Sequence, residues 1–133
     1  MARSKAKQGA DFERSILNKL RLQGYDGMRS AGSHGVADLL IWKEYDAERL
    51  GIYPYDNETW IEPDVKFYMI QCKHSLTRDA NFKALFADEN VIKLAAMPDK
   101  FTKVIVIKQP RSIRNIQFVH DGTSWKLRNI FDV

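Results

Sequence analysis

A chain of 133 residues is the size of one domain and can bury a core without disulfides or a structural metal. Its single cysteine excludes an internal disulfide framework, and three scattered histidines with no Cys-x-x-Cys give no zinc signature. No run approaches the roughly 18 apolar residues of a membrane span and the basic start lacks the apolar stretch of a signal peptide, so a soluble, cytoplasmic protein with no membrane partner is expected.

The net charge of +4 is unevenly divided along the chain. Residues 44–64 hold seven acids (Glu44, Asp46, Glu48, Asp56, Glu58, Glu62, Asp64) and one base, Arg49, a net of −6 that leaves +10 for the remainder. A basic body favours a polyanionic partner such as nucleic acid, although solvated lysines would produce the same count.

Residues 1–8 are too small and polar to pack, and read as a flexible basic arm, either phosphate-seeking or a loose end. From Ala10 to Leu22 the residues Phe12, Ile16, Leu17 and Leu20 share one face, which predicts an amphipathic helix stopped by Gly24. Glu13 and Arg14 lie beside that stripe, placed either to border a neighbouring site or simply to complement the helix dipole. Tyr25 to Arg29 reads as a first strand, followed by a serine and glycine loop, Ser30 to Gly35. Such a loop lets backbone amides approach a phosphate or merely connects two strands. Within it His34 reads as a surface residue or DNA contact, because no second histidine stands at ligand spacing. Val36 to Trp42 is a second strand entered by Asp38, a carboxylate among apolar neighbours that needs a partner, most naturally a cation.

Residues 44–64 carry Tyr45, Tyr53, Tyr55 and Trp60 among the acids, with turn signals at Gly51, Pro54, Asp56-Asn57 and Pro63. They read as an irregular insertion whose aromatics could stack on bases. Its negative charge argues instead for a packing flap or protein contact. Lys66 to His74 is the third strand. Alternation puts Gln71 and Lys73 on one face, about 7 Å apart, and Ile70 and Cys72 on the other, so Cys72 reads as a core residue and not a nucleophile. Arg78 to Met97 reads as one long helix with Phe82, Leu85, Phe86, Ile92 and Ala96 on its apolar side, ended by Pro98. Val91 and Leu94 fall off that stripe and would serve a second surface, such as a partner subunit. Val104 to Ile107 is a buried strand, and Ile113 to His120 and Thr123 to Arg128 flank the hairpin signal Asp121-Gly122.

Three stretches in order, Gly9-Ala10-Asp11-Phe12-Glu13-Arg14, Arg29-Ser30-Ala31-Gly32-Ser33 through Asp38, and Gln71-Cys72-Lys73, resemble the archaeal-type Holliday junction resolvases of the PD-(D/E)xK nuclease superfamily. The likeness covers roughly residues 9–42 and 66–108, and only the combination of motifs is specific. It implies a single α/β, restriction-endonuclease-like domain over residues 9–133, with a central mixed sheet flanked by helices. It further implies a homodimer that resolves four-way DNA junctions, or branched DNA generally, by paired phosphodiester hydrolysis leaving a 5′-phosphate and a 3′-hydroxyl. The cofactor implied is Mg2+, with Mn2+ as a substitute, held by Asp38, the Gln71 side-chain oxygen and the Cys72 backbone carbonyl, and bordered by Glu13. Lys73 would orient the attacking water, Arg14 and Arg29 would grip phosphates, and Ser30, Ser33 and His34 would contact DNA.

Two departures from the family pattern stand out: the insertion at residues 44–64, and Gln71 where the family usually carries glutamate. On this reading Gln71→Glu keeps or raises activity. Competing readings are a related nuclease for flaps, nicks or duplex DNA, and a catalytically weakened junction-binding module. The protein would be DNA-associated, of cellular or viral origin.

Overall fold

The structure, a computed structural model, describes residues 5–30, 36–45, 64–74, 82–109 and 113–133. Helix α1 spans Lys5–Leu22 and buries Phe12, Ile16, Leu17 and Leu20, the face expected from their spacing. It begins well inside the stretch read as a flexible arm. Ala6, Lys7 and Gln8 are all good helix formers, so the helix extends past the point where its apolar stripe begins.

Among the described residues six strands follow: β1 (Asp26–Arg29), β2 (Leu39–Tyr45), β3 (Asp64–His74), β4 (Phe101–Lys108), β5 (Ile116–His120) and β6 (Trp125–Leu127). They form one mixed sheet in the order β1-β2-β3-β4-β5-β6. Every neighbouring pair is antiparallel except β3 with β4, which is parallel and so needs a crossover. Helices α2 (Phe82–Ala87) and α3 (Glu89–Ala95) lie in that crossover. The fold is therefore α/β, with three helices and a six-stranded mixed sheet among the described residues. The β2 and β3 ladder runs out to Tyr45 opposite Asp64, so the ends of the acidic insertion prolong a hairpin. Residues 46–63 of that insertion lie outside the described residues.

The single long helix expected over Arg78 to Met97, of which residues 78–81 lie outside the described residues, is broken at Asp88. Asp88 adopts an extended backbone (φ −61°, ψ 132°), and its Oδ1 accepts the amides of Asn90 at 2.9 Å and Val91 at 3.3 Å. This N-cap restarts the helix in a new phase. Val91 and Leu94, off the expected stripe, are therefore the fully buried residues of α3, while Ile92 is 55% exposed.

The sheet carries apolar layers on both faces. Under α1 lie Leu39, Ile41, Tyr68, Ile70, Val104 and Val106, closed at one side by Phe131 and Val133 of the C-terminal tail. On the opposite face Val91 and Leu94 pack against Ile105, Ile107 and Phe118. The apolar run Val104 to Ile107 is thus buried on both sides, as a central parallel strand requires. The tail is fastened by buried Gln117: its Nε2 donates to the Phe131 carbonyl at 2.8 Å, and its Oε1 accepts the amides of Ile130 and Phe131 at 3.1 and 3.0 Å. The hairpin expected at Asp121-Gly122 is present between β5 and β6, with Gly122 in the left-handed region (φ 97°).

Where α1 crosses β1 the approach leaves little room for a side chain at Gly27. A Cβ at Gly27 would collide with the Ile41 side chain and stand 2.9 Å from Leu17 Cδ1 and 3.1 Å from the Leu40 carbonyl oxygen. That approach also brings Glu13 of α1 within reach of Arg29 on β1. Gly27→Ala is expected to cost about 1–3 kcal/mol, the usual range for overpacking, read as a shift in the urea-unfolding midpoint.

Candidate functional site

Strand β2 ends its ladder at Leu39 opposite Ile70, while β3 continues for four residues to His74. Asp38 stands at the point where β2 leaves the sheet, one residue before the strand rather than within it as the expected span Val36 to Trp42 had placed it. Its backbone is held on both sides: the amide donates to the Ile70 carbonyl at 2.8 Å, and the carbonyl accepts the Ser30 amide at 2.9 Å. Its carboxylate Oδ2 accepts the Cys72 amide at 2.8 Å. A strand residue presents its N–H and C=O toward the same neighbour, so the Cys72 carbonyl also faces the side occupied by Asp38.

Glu13 reaches the same place from α1. Its Oε2 accepts both Nε and Nη2 of Arg29, at 3.2 and 3.1 Å, with both side chains largely buried. Burial raises the Glu13 carboxyl above its ordinary range and the charge of Asp38 raises it further, against the opposing pull of Arg29 and Arg14. Asp38 is also raised by burial, opposed by the Cys72 amide and by the charges of Lys73 and Arg29. Both acids therefore sit where negative charge is under-compensated. The Cys72 thiol is driven well above its ordinary value by burial and by those same two acids. It stays protonated and packs against the core under α1, a structural residue as the alternation implied.

Gln71 and Lys73 leave the sheet on the other face, toward α2 and α3, since Tyr68, Ile70 and Cys72 belong to the layer under α1 and Met69 to the opposite one. Lys73 Nζ lies 3.8 Å from Asp88 Oδ2, and its charge still acts on Asp38. Gln71 is 97% buried: its Nε2 donates to the Val36 carbonyl at 2.8 Å, and its Oε1 has no hydrogen-bond partner among the described residues. Arg14 is exposed and pairs loosely with Asp11 at 3.5 Å. Ser33 and His34 lie outside the described residues.

The structure thus brings Glu13, Arg29, Asp38 and the Cys72 backbone together, with Lys73 within electrostatic range. It does not give Gln71 a hydrogen bond to either acid. Two participants were missed in the sequence. Asp88 was signalled by its place before the apolar residues Val91 and Leu94, the pattern of an N-cap. The Val36 carbonyl that holds Gln71 carries no sequence signal.

Among the described residues no group of three or more His, Cys, Asp or Glu side chains is placed to hold a metal ion. The Asp38 and Glu13 carboxylates act on each other electrostatically, the Cys72 carbonyl faces the Asp38 side, and Gln71 Oε1 is a buried oxygen with no hydrogen-bond partner among the described residues. Such a set suits a hard cation that takes one or two carboxylates and keeps its waters, and gives nothing to a soft metal. Comparison with family models, with curated proteins and with solved structures returns no match.

Two outcomes follow from this geometry. Because the folded Asp38 binds its proton more tightly than the unfolded chain does, stability falls as pH rises from the ordinary value of 3.8 through the raised folded value, and the penalty persists above it. Asp38→Asn keeps an oxygen for the Cys72 amide and removes that penalty. It is expected to unfold at higher urea than the wild type at pH 7, with the difference shrinking toward pH 3. Gln71→Glu, by contrast, loses the donor to Val36 and buries a charge, so it is expected to cost at least about 1–3 kcal/mol by the same measurement at pH 7.

Proposed function

We propose that the chain is a metal-dependent endonuclease acting on branched DNA, with four-way junctions as the preferred substrate. The observation that carries this reading is the Asp38 carboxylate anchored to the Cys72 amide where β2 leaves β3, ringed by Glu13, Arg29 and Lys73. Two acids held above their ordinary range are a poor structural device and a good cation trap. The motif order that resembles the junction resolvases supports the same conclusion.

In this reading Asp38, the Cys72 carbonyl and Glu13 would hold Mg2+, with Mn2+ as a substitute, and the Gln71 amide oxygen would be available as a neutral donor. When bound, the ion supplies Lewis acidity toward a phosphodiester oxygen. Arg29 uses Nε and Nη2 on Glu13 and directs its remaining guanidinium N–H groups to the phosphate. Lys73 orients the attacking water and offsets the charge that grows on the phosphoryl oxygens. The water oxygen bonds to phosphorus and releases a proton to solvent, the bond to the 3′ oxygen breaks, and that oxygen takes up a proton from solvent. A 5′-phosphate and a 3′-hydroxyl result.

Paired nicks in a junction require two such sites, which a two-fold homodimer supplies. Ile92 on α3 and Leu127 on β6, 55% and 71% exposed, are apolar positions open to that interface. A second reading, a junction-binding module with little catalysis, is favoured by one observation: the Gln71 side chain is committed to Val36.

The test gives the purified chain Mg2+ and three matched substrates: a four-way junction, a flap and a linear duplex. Symmetric paired nicks on the junction are expected, together with a dimer in sedimentation at micromolar concentration. Lys73→Met should lower single-turnover cleavage about 100-fold or more, in line with loss of a charge-stabilising group, and Asp38→Asn should abolish it. Vigorous Mg2+-dependent cutting by Asp38→Asn would sink the metal assignment. Equal cutting of all three substrates would favour a general nuclease, and tight binding without cutting the module.

A further inference from the structure

A second basic feature lies at the same end of the sheet and belongs to none of the groups above. The last residues of the parallel strands, His74 and Lys108, are register partners. Together with α1 and the start of the segment leading to β5 they wall a cleft of about 270 Å³. Its polar lining includes Ser15, Lys19, His74, Lys108 and Asn115. Asp11, Ser15 and Lys19 recur every four residues and share one stripe of α1, whereas Glu13, two residues from Asp11, points to another. The cleft and the Glu13–Arg29–Asp38 group therefore flank α1 on opposite sides.

The charges of this cleft are unbalanced. Lys19 and Lys108 are exposed and make no ion pair or side-chain hydrogen bond among the described residues, and His74 is engaged only by an edge contact with the Phe12 ring at 6.2 Å. Asp11, the acid on the wall, has Arg14 as an ion-pair partner. Two exposed ammonium groups beside a histidine, a hydroxyl and an amide form a concave donor surface. At about 270 Å³ the space falls just short of the roughly 300–1,000 Å³ of small-molecule pockets, and polar side chains outnumber its two apolar ones, Phe12 and Ile113. It suits a phosphate group of a polymer better than a free nucleotide.

We propose that this cleft is a second phosphate-binding track, which holds the sugar-phosphate backbone of a DNA strand other than the one presented to Asp38. The proposal rests on the reading of the chain as a DNA-binding nuclease and adds to it a reason for preferring branched DNA: two tracks on opposite flanks of one helix engage two backbones at once. Lys19 and Lys108 neutralise phosphates there, with Ser15 and Asn115 as hydrogen-bonding partners. They bind and do not cut.

The test measures dissociation constants of the full chain for a fluorescent four-way junction across a salt series, in EDTA so that nothing is cleaved. The Lys19→Gln/Lys108→Gln double variant is compared with wild type and with Lys126→Gln, an exposed lysine on the far hairpin. Each phosphate contact removed should lower the slope of log affinity against log salt by about 1, so the double variant should lose about 2 and bind at least about ten-fold more weakly at low salt. Lys126→Gln should match wild type. With Mg2+ and saturating DNA, the single-turnover rate of the double variant should stay within about two-fold of wild type, which separates a binding track from the cutting site. A double variant indistinguishable from Lys126→Gln, with wild type still binding, overturns the track and leaves the nuclease reading standing. Wild type that binds no DNA overturns both.

Discussion

The hydrogen bond from the Cys72 amide to the Asp38 carboxylate is the constraint on which the site depends. At the end of β2 the strand stops accepting and donating along β3, and a backbone N–H of β3 would otherwise face a gap. Asp38 fills that gap with a charged oxygen, which satisfies the amide at the expense of burying a carboxylate. One charge-assisted bond does not fully offset that burial, because the folded carboxyl stays above its ordinary range. The same placement holds the Ser30 amide on the Asp38 carbonyl and so fixes where β1 ends. Arg29, one residue earlier, is thereby delivered to Glu13.

Much of the architecture follows from local pattern. The spacing of Phe12, Ile16, Leu17 and Leu20, the alternation along Lys66 to His74 and the Asp121-Gly122 turn each reflect a single periodicity or turn preference that tertiary packing had no reason to override. The long second helix failed for an equally local reason. Its apolar residues can be drawn on one continuous stripe only if Asp88 is treated as helical, and the side chain of Asp88 competes for the very amides that a continuous helix would use. Once the helix restarts, Val91 and Leu94 turn inward and Ile92 outward.

The candidate site was legible in part. Asp38 could be singled out because a carboxylate amid apolar strand residues needs explaining, and Gln71 and Lys73 because alternation pairs them. What could not be read is which groups meet across the chain. The ion pair of Lys73 with Asp88 and the hold of Val36 on Gln71 both arise from the crossover and from the path of the segment entering β2, and no periodicity encodes either. Glu13 stood as an ordinary acid of an early helical turn until the close crossing at Gly27 brought it to Arg29.

Strand alternation also sharpens what an amide at position 71 means. Asp38 and Glu13 are already raised by burial, and Glu13 by the neighbouring negative charge as well. A third buried carboxylate so close by would deepen that imbalance whenever no cation is present, and it would set a negative oxygen against the Val36 carbonyl. The amide avoids both costs, because Nε2 satisfies Val36 while Oε1 remains an uncharged oxygen with no partner among the described residues. If the site takes a cation as proposed, this arrangement would give up cation affinity in return for stability in the cation's absence. On the proposed reading any ion binding would depend on Asp38 and Glu13, and the Glu13 carboxylate that Arg29 holds would be the second charge in place of the one that position 71 lacks.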